Sequence, residues 1–213
     1  MIKAVLFDMD GTIVNSERHY IDGTVEYLKE NGINVTRKDV VPIIGTTMEV
    51  TYDILSKLSG IDRNRIIELN SEYFGVRNPL NYKDVVFEDT LPCFQKLKEE
   101  DIKIAICSMS DTEYVEKCIE DIGLHDYVDY YIGGTSVTHQ KPDPEIYLKA
   151  VETLKLDKEE VIIVEDAVQG IEAGKNAGIY TLARKDVQFG LDQSEADRII
   201  DDLSEVIKVI KNG

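Results

Sequence analysis

The chain has 213 residues and a formal net charge of −17, with 41 acidic against 24 basic side chains; no cluster of lysine and arginine interrupts that balance, which excludes a nucleic-acid backbone or an anionic membrane surface as an expected partner. At 43% hydrophobic and 31% charged, with no repeat or low-complexity tract, the composition is that of a folded domain with room for a smaller insertion. Three cysteines (Cys93, Cys107, Cys118) without metal-ligand spacing, no secretory leader and no apolar stretch of bilayer length point to a reducing, cytoplasmic location.

In chain order, the first apolar run, Ala4-Val5-Leu6-Phe7, is bounded and short, as a buried parallel strand is. From 15 to 86 the pattern changes. Apolar residues recur at three- and four-residue spacing (Tyr20, Val25, Tyr27, Leu28; Val50, Ile54, Leu55, Leu58; Ile66, Ile67, Leu69, Tyr73, Phe74), and no convincing strand interrupts them. That interval is too long for a connection, so it predicts a helical domain, 15–86, inserted into a core made of 1–14 and 87–213. Beyond it, amphipathic helices at 91–100, 113–122 and 144–154 alternate with apolar strands at 102–107, 130–132, 161–164 and 179–182. Alternation of this kind predicts an α/β fold with a doubly wound parallel sheet. Ligands bind such sheets beyond the carboxyl ends of the strands, where the insertion would sit as a lid.

Four groups of residues could carry chemistry, each with a bland reading beside the functional one. Asp8 and Asp10 close the first strand in Phe7-Asp8-Met9-Asp10-Gly11-Thr12; one aspartate could merely cap a turn, but two so close call for a bound cation or a shared proton. Ser108-Met109-Ser110 follows the strand at 102–107. Ser110 with Glu113 has capping-box spacing and reads as structural, whereas the Ser108 hydroxyl and the free backbone N–H groups of the turn, Met109 included, suit an anion. Lys141 precedes Pro142-Asp143-Pro144, where Asp143 reads as an N-cap and Pro144 as the first helical residue; a lone lysine is usually solvated, yet a cation in this turn could neutralise a phosphate. Glu165 and Asp166 end the strand at 161–164, and Asp166 could equally be an N-cap. Oxygen-only donors from neighbouring strand ends suit Mg2+. For a chain this acidic, a site for anionic substrates is expected to be locally positive.

Taken together, the four groups resemble, in order and spacing along the whole chain, the motifs of the haloacid dehalogenase superfamily: DxDG(T/V), a Ser/Thr, a Lys and a late acidic pair. The insertion is similar to the helical cap of the branch that includes β-phosphoglucomutase and phosphoglycolate phosphatase. The resemblance implies a Rossmann-like core with its site facing the cap. It further implies Asp8 as nucleophile, Asp10 as general acid and base, and Ser108, Met109 and Lys141 around the phosphoryl group. Mg2+ would be held by Asp8, the Asp10 backbone carbonyl and Asp166, with Glu165 supporting its water shell.

Asp10 favours phosphoryl chemistry over dehalogenation. The expected activity is hydrolysis of a small phosphorylated metabolite, a sugar phosphate by preference, by a monomer; the alternative is a β-phosphoglucomutase interconverting β-glucose 1-phosphate and glucose 6-phosphate. In the mutase pattern a cap histidine and a Gly-x-Ser-Arg arginine are present, where this chain has Tyr20, beside His19, and Gly45-Thr46-Thr47-Met48. Methionine cannot replace the arginine's bidentate grip on a second phosphate. A non-catalytic binding module would be expected to lack Asp8, Asp10 or Lys141, and all three are present. For the substrate-facing side of the insertion the candidates are Ser16, Glu17, Tyr20, Thr46 and Thr47, against a reading of them as hinge and helix caps; Arg77 and Lys83 read as solvated surface.

Overall fold

The computed structural model describes residues 1–212. Six parallel strands, β1 (Ala4–Phe7), β2 (Lys103–Cys107), β3 (Tyr130–Ile132), β4 (Val161–Glu165), β5 (Tyr180–Arg184) and β6 (Arg198–Ile200), form a sheet in the order β3-β2-β1-β4-β5-β6. Helices α1 (Ser16–Glu30), α2 (Arg37–Val40), α3 (Met48–Ser59), α4 (Arg63–Glu72), α5 (Tyr82–Val85) and α6 (Thr90–Glu99) lie between β1 and β2. Then α7 (Thr112–Asp121) precedes β3, α8 (Glu145–Leu154) precedes β4, α9 (Val168–Ala177) precedes β5 and α10 (Ser204–Asn212) follows β6. No helix among the described residues is long and apolar enough to cross a membrane.

The central strands are apolar except for Lys103 at the start of β2 and Glu165 at the end of β4, because both faces of the sheet are covered, and the two-residue period assigns alternate side chains to each. Val5 and Phe7, Ile104 and Ile106, and Ile162 and Val164 meet Phe94 and Leu97 of α6, Val115 of α7 and Val206 of α10. Ala4 and Leu6, Ala105 and Cys107, and Val161 and Ile163 meet Ile146, Tyr147 and Ala150 of α8 and Ala173 and Ala177 of α9. A one-residue slip of any of these strands would exchange the two sets.

Two differences from the predicted elements have a physical origin. β6 was not foreseen: it is a three-residue edge strand in which only Ile200 is buried, so no apolar run marks it. β5 runs past the predicted 179–182 to Arg184, because its last residues pair with β6.

Helices α1 to α4 enclose a separate core of Ile21, Tyr27, Leu28, Leu55, Ile66 and Tyr73. The chain enters and leaves this helical region side by side, with an antiparallel bridge between Val14 and Val86 and bonds from Asn15 N to Val85 O (2.7 Å) and from Phe87 N to Ile13 O (3.2 Å). Leu80, Tyr82, Val85 and Val86, at the end of the same stretch, pack on the sheet side with Phe94 and Val115. In the opposite sense, Ala167, Phe189 and Leu191 reach from the sheet side into the helical core.

Candidate active site

β1 is the strand at which the chain reverses its winding, with β2 and β3 on one side and β4 to β6 on the other. The carboxyl ends of β1, β2 and β4 therefore meet at one crevice, the position at which open parallel sheets hold ligands. Asp8 continues β1 by donating its N–H to Val164 O at 2.9 Å. The turn after it needs Gly11, whose φ is +84° and where a Cβ would stand 2.0 Å from Asp166 Oδ2.

A buried lysine joins the groups. Lys141 Nζ donates to Asp8 Oδ1 and to Glu165 Oε1, both at 2.6 Å, and to Cys107 O at 3.1 Å, with a side chain only 3% exposed. The Tyr147 hydroxyl donates to the same Glu165 oxygen at 2.8 Å, and its ring centroid lies 5.0 Å from Lys141 Nζ. The other Glu165 oxygen accepts from the backbone N–H groups of Asp166 and Ala167 at 2.9 and 3.1 Å. Glu165 thus leans on α9, where a Cβ on Gly170 would come within 1.7 Å of Oε1. Asp166 accepts from Thr12 Oγ1 at 3.1 Å, and Gln193 Nε2 donates to the Asp166 carbonyl at 2.7 Å. The N-cap of α9 is Ala167, so Asp166 is not the cap that its sequence position also allowed.

Asp10 points elsewhere. Its Oδ1 accepts from Ser16 Oγ at 2.5 Å, and its Oδ2 accepts from Ser110 Oγ at 2.7 Å and Ser108 Oγ at 3.3 Å. Ser110 is therefore not the capping residue expected: α7 has Asp111 as its N-cap, and the Ser110 hydroxyl is spent on Asp10. Similarly, α8 has Pro144 at its N-cap, one residue later than expected, while Asp143 accepts from Glu145 N at 2.9 Å. The N–H groups of Met9, Asp10 and Met109 have no acceptor among the hydrogen bonds of the described residues.

The electrostatics correct one expectation outright. Among the described residues, the cleft of about 130 Å³ at this crevice is lined by four carboxyl groups (Asp8, Asp10, Glu17, Glu165) and one ammonium, Lys141, so its own side chains do not make it positive. Burial is the main cause that lifts the Asp8 carboxyl well above the usual range; Lys141 opposes the shift, while Glu165 and Asp10 add to it. Burial, then Glu165 and Asp8, lift Asp166 in the same way. Burial alone would lower Lys141, but Asp8 and Glu165 outweigh it and keep the ammonium charged. Asp8, Glu165 and Asp166 present oxygens within 4.8 Å of one another. Three carboxylates against one lysine are a hard, oxygen-only, charge-deficient set, and they fit a divalent cation such as Mg2+. The Asp8 and Asp166 carboxylates each accept a single hydrogen bond among the described residues, against four for Glu165, and the Asp10 carbonyl accepts none.

The candidates from the helical region separate into three kinds. Glu17, Tyr20 and Thr46 line the cleft with Met48 and Thr51. Ser16 is fully buried and holds Asp10. Thr47 is the N-cap of α3, accepting from Val50 N at 3.3 Å, and does not line the cleft. His19 turns away from the cleft to Asn78 O at 3.1 Å and packs on Phe74. Arg77 pairs with Glu30 on the surface, and Lys83 is exposed. Tyr147 and Gln193 were missed, and Thr12, part of the first motif, had no role assigned, because only the folded chain brings them to the acidic pair, across 154 residues for Thr12 and Asp166.

Comparison with known proteins agrees with this fold. A family model for haloacid dehalogenase-like hydrolases matches residues 5–184. The putative pyrophosphatase PpaX of Caldanaerobacter subterraneus subsp. tengcongensis is 29% identical over 214 residues, covering 99% of this chain and 95% of its own. Among solved structures, a β-phosphoglucomutase from Clostridium difficile superposes with a TM-score of 0.82 at 19% identity, over 100% of this chain and 96% of that one. A predicted phosphoglycolate phosphatase from Haemophilus somnus gives 0.82 at 20% identity, over 98% of each chain. The matched span takes in β1, Lys141 and the Glu165-Asp166 pair, and the chain belongs to the haloacid dehalogenase-like hydrolase family.

Proposed function

We propose that this chain, a phosphatase of the haloacid dehalogenase-like family, hydrolyses the phosphate monoester of a small metabolite, a sugar phosphate by preference, with Mg2+ and through an aspartyl-phosphate on Asp8. The observation that carries the reading is the buried Lys141 ammonium at 2.6 Å from both Asp8 and Glu165. It favours the ionised, nucleophilic form of Asp8, and its geometry is fixed on the far side by Glu165, Tyr147 and the α9 backbone.

In the first step an Asp8 oxygen attacks phosphorus and the bond to the leaving oxygen breaks, with Asp10 delivering a proton to that oxygen. In the second, Asp10 takes a proton from water, which attacks the acyl phosphate; phosphate leaves and Asp8 is regenerated. Ser16, Ser108 and Ser110 hold Asp10 clear of Asp8, so that one carboxylate attacks while the other moves protons. The unpaired N–H groups of Met9, Asp10 and Met109 are available to phosphoryl oxygens. Mg2+, held by Asp8, Asp166 and the Asp10 carbonyl with Glu165 behind them, would supply the positive charge that the cleft's own side chains lack. The helical region from 15 to 86 serves as a cap, and its closure expels water from the cleft.

The test is a panel of phosphate esters that includes β-glucose 1-phosphate, followed for free phosphate and for glucose 6-phosphate, with chelator and Asp8→Asn controls. Magnesium- and Asp8-dependent release of phosphate supports the reading. Glucose 6-phosphate formed without release of phosphate would establish the mutase in its place.

A further inference from the structure

We infer that the cleft selects phosphate esters whose leaving group is neutral and hydroxyl-bearing, and that Glu17 sets this selection by excluding a second anionic group; the inference rests on the phosphatase reading above. Beyond the catalytic groups the cleft is lined by Glu17, Tyr20, Ile43, Thr46, Met48 and Thr51. Hydroxyls and apolar surface suit a polyol or sugar. A second phosphate or a carboxylate requires an arginine or lysine for strong recognition.

Among the described residues no such cation is free. Lys141 is the one lysine or arginine that lines the cleft, and its donors are committed to Asp8, Glu165 and Cys107 O. Arg184 and Lys185 line a different hollow, on the other side of Glu17, where they pair with Asp89 and Asp201. Glu17 lines both spaces and so stands between the leaving-group end of the cleft and those two cations.

Glu17 itself opposes anions. Its carboxyl, pushed up to about 8 by burial first and by Asp10 and Asp8 next, already sits in a negative field. A second substrate anion beside it meets either a carboxylate or a single O–H donor, and neither replaces the charge and paired donors of a guanidinium. A neutral hydroxyl instead finds a hydrogen-bond partner in either state of Glu17. Pyrophosphate, which the name of the PpaX relative implies for that protein, is thus a poor substrate for this one.

Matched pairs test this: 2-hydroxyethyl phosphate against 2-phosphoglycolate, and glycerol 3-phosphate against 3-phosphoglycerate, with pyrophosphate as a third anion. Each is measured as kcat/KM with Mg2+ for the wild type, Glu17→Gln and Met48→Lys. The wild type is expected to favour the neutral member of each pair by about ten-fold or more, a difference of about 1.4 kcal/mol. Glu17→Gln narrows that ratio, chiefly through a lower KM for the anionic member. Met48→Lys, at a half-exposed position where folding is not at risk, raises kcat/KM for the anionic member alone. Equal use of both members by the wild type, or a ratio that neither substitution changes, overturns the inference while leaving the phosphatase intact. Hydrolysis of no ester at all overturns the phosphatase reading, and this inference with it.

Discussion

The two ends of the cleft are built on opposite principles. At the sheet end, Asp8, Lys141, Glu165 and Asp166 are all below 10% exposed, and Glu165 alone takes part in four hydrogen bonds. At the helical end, Tyr20 and Glu17 are part-exposed, Met48 is half-exposed, and Thr46 turns its hydroxyl to Ile43 O and Thr51. The first end holds charges in fixed positions at a cost in desolvation, as electrostatic catalysis requires. The second is a wall of hydroxyls, one carboxyl and apolar side chains. Under the proposed function chemistry is thereby separated from selection, and substitutions at the two ends should fail in different ways.

The largest effects belong to the sheet end. Asp8→Asn removes the proposed nucleophile and should lower kcat by about 10⁴-fold or more, since the loss of a covalent catalyst is seldom compensated by its neighbours. Lys141→Met should disable turnover and also destabilise the fold by about 3–5 kcal/mol, because it strands two buried carboxylates. A urea midpoint unchanged from the wild type would show that the lysine is not the keystone assigned here. Third in size is metal linkage. With Mg2+ at about 100 times its dissociation constant, thermal stability should rise by about 2.7 kcal/mol. Asp166→Asn should remove most of that rise, and a rise kept in full would place the metal elsewhere.

A pH series examines both ends at once. In chelated protein Asp8, Asp166 and Glu17 hold their protons more tightly when folded than when unfolded. The folded state then binds more protons, so stability must fall as pH rises. For Glu17 that contribution is complete below 4.5 and is lost as pH passes about 8. The urea midpoint should decline across that interval, and Glu17→Gln should flatten the decline. The smallest effects separate neighbours at the helical end. Thr47→Ala removes a helix cap and should cost about 1 kcal/mol with no change in KM. Thr46→Ala breaks the bonds to Ile43 O and Thr51 and should cost about 1 kcal/mol or more, but it should also alter KM several-fold, so an unchanged KM would remove Thr46 from the substrate wall.

What could be read from the sequence follows the same division. Strands β1 to β5 were legible because each carries an apolar run, and the aspartates Asp8 and Asp166 because they stand just beyond the buried runs of β1 and β4. Ser110 was misread because its local signal, the spacing to Glu113, is indistinguishable from a cap until Asp10 is placed 2.7 Å away by a contact across 100 residues. Glu165 was legible as acidic, but its hydrogen bonds to Tyr147 and to its own helix start were not, since they depend on how α8 and α9 pack on β4. The sign of the cleft was mistaken for a related reason. A substrate anion does call for positive charge, yet the chain gathers carboxylates there and leaves that charge to a cation.

The account stands on covalent catalysis by Asp8. Asp10→Asn protein, which lacks the acid of the first step and the base of the second, would be mixed with Mg2+ and p-nitrophenyl phosphate, whose leaving group departs without a proton, then quenched in acid within milliseconds to seconds, digested and analysed by mass spectrometry. The expected result is one added phosphoryl group on the peptide that contains Asp8, absent when Asp8→Asn is combined with it. Turnover of the ester with no phosphorylated peptide, and with Asp8→Asn still active, would contradict the mechanism.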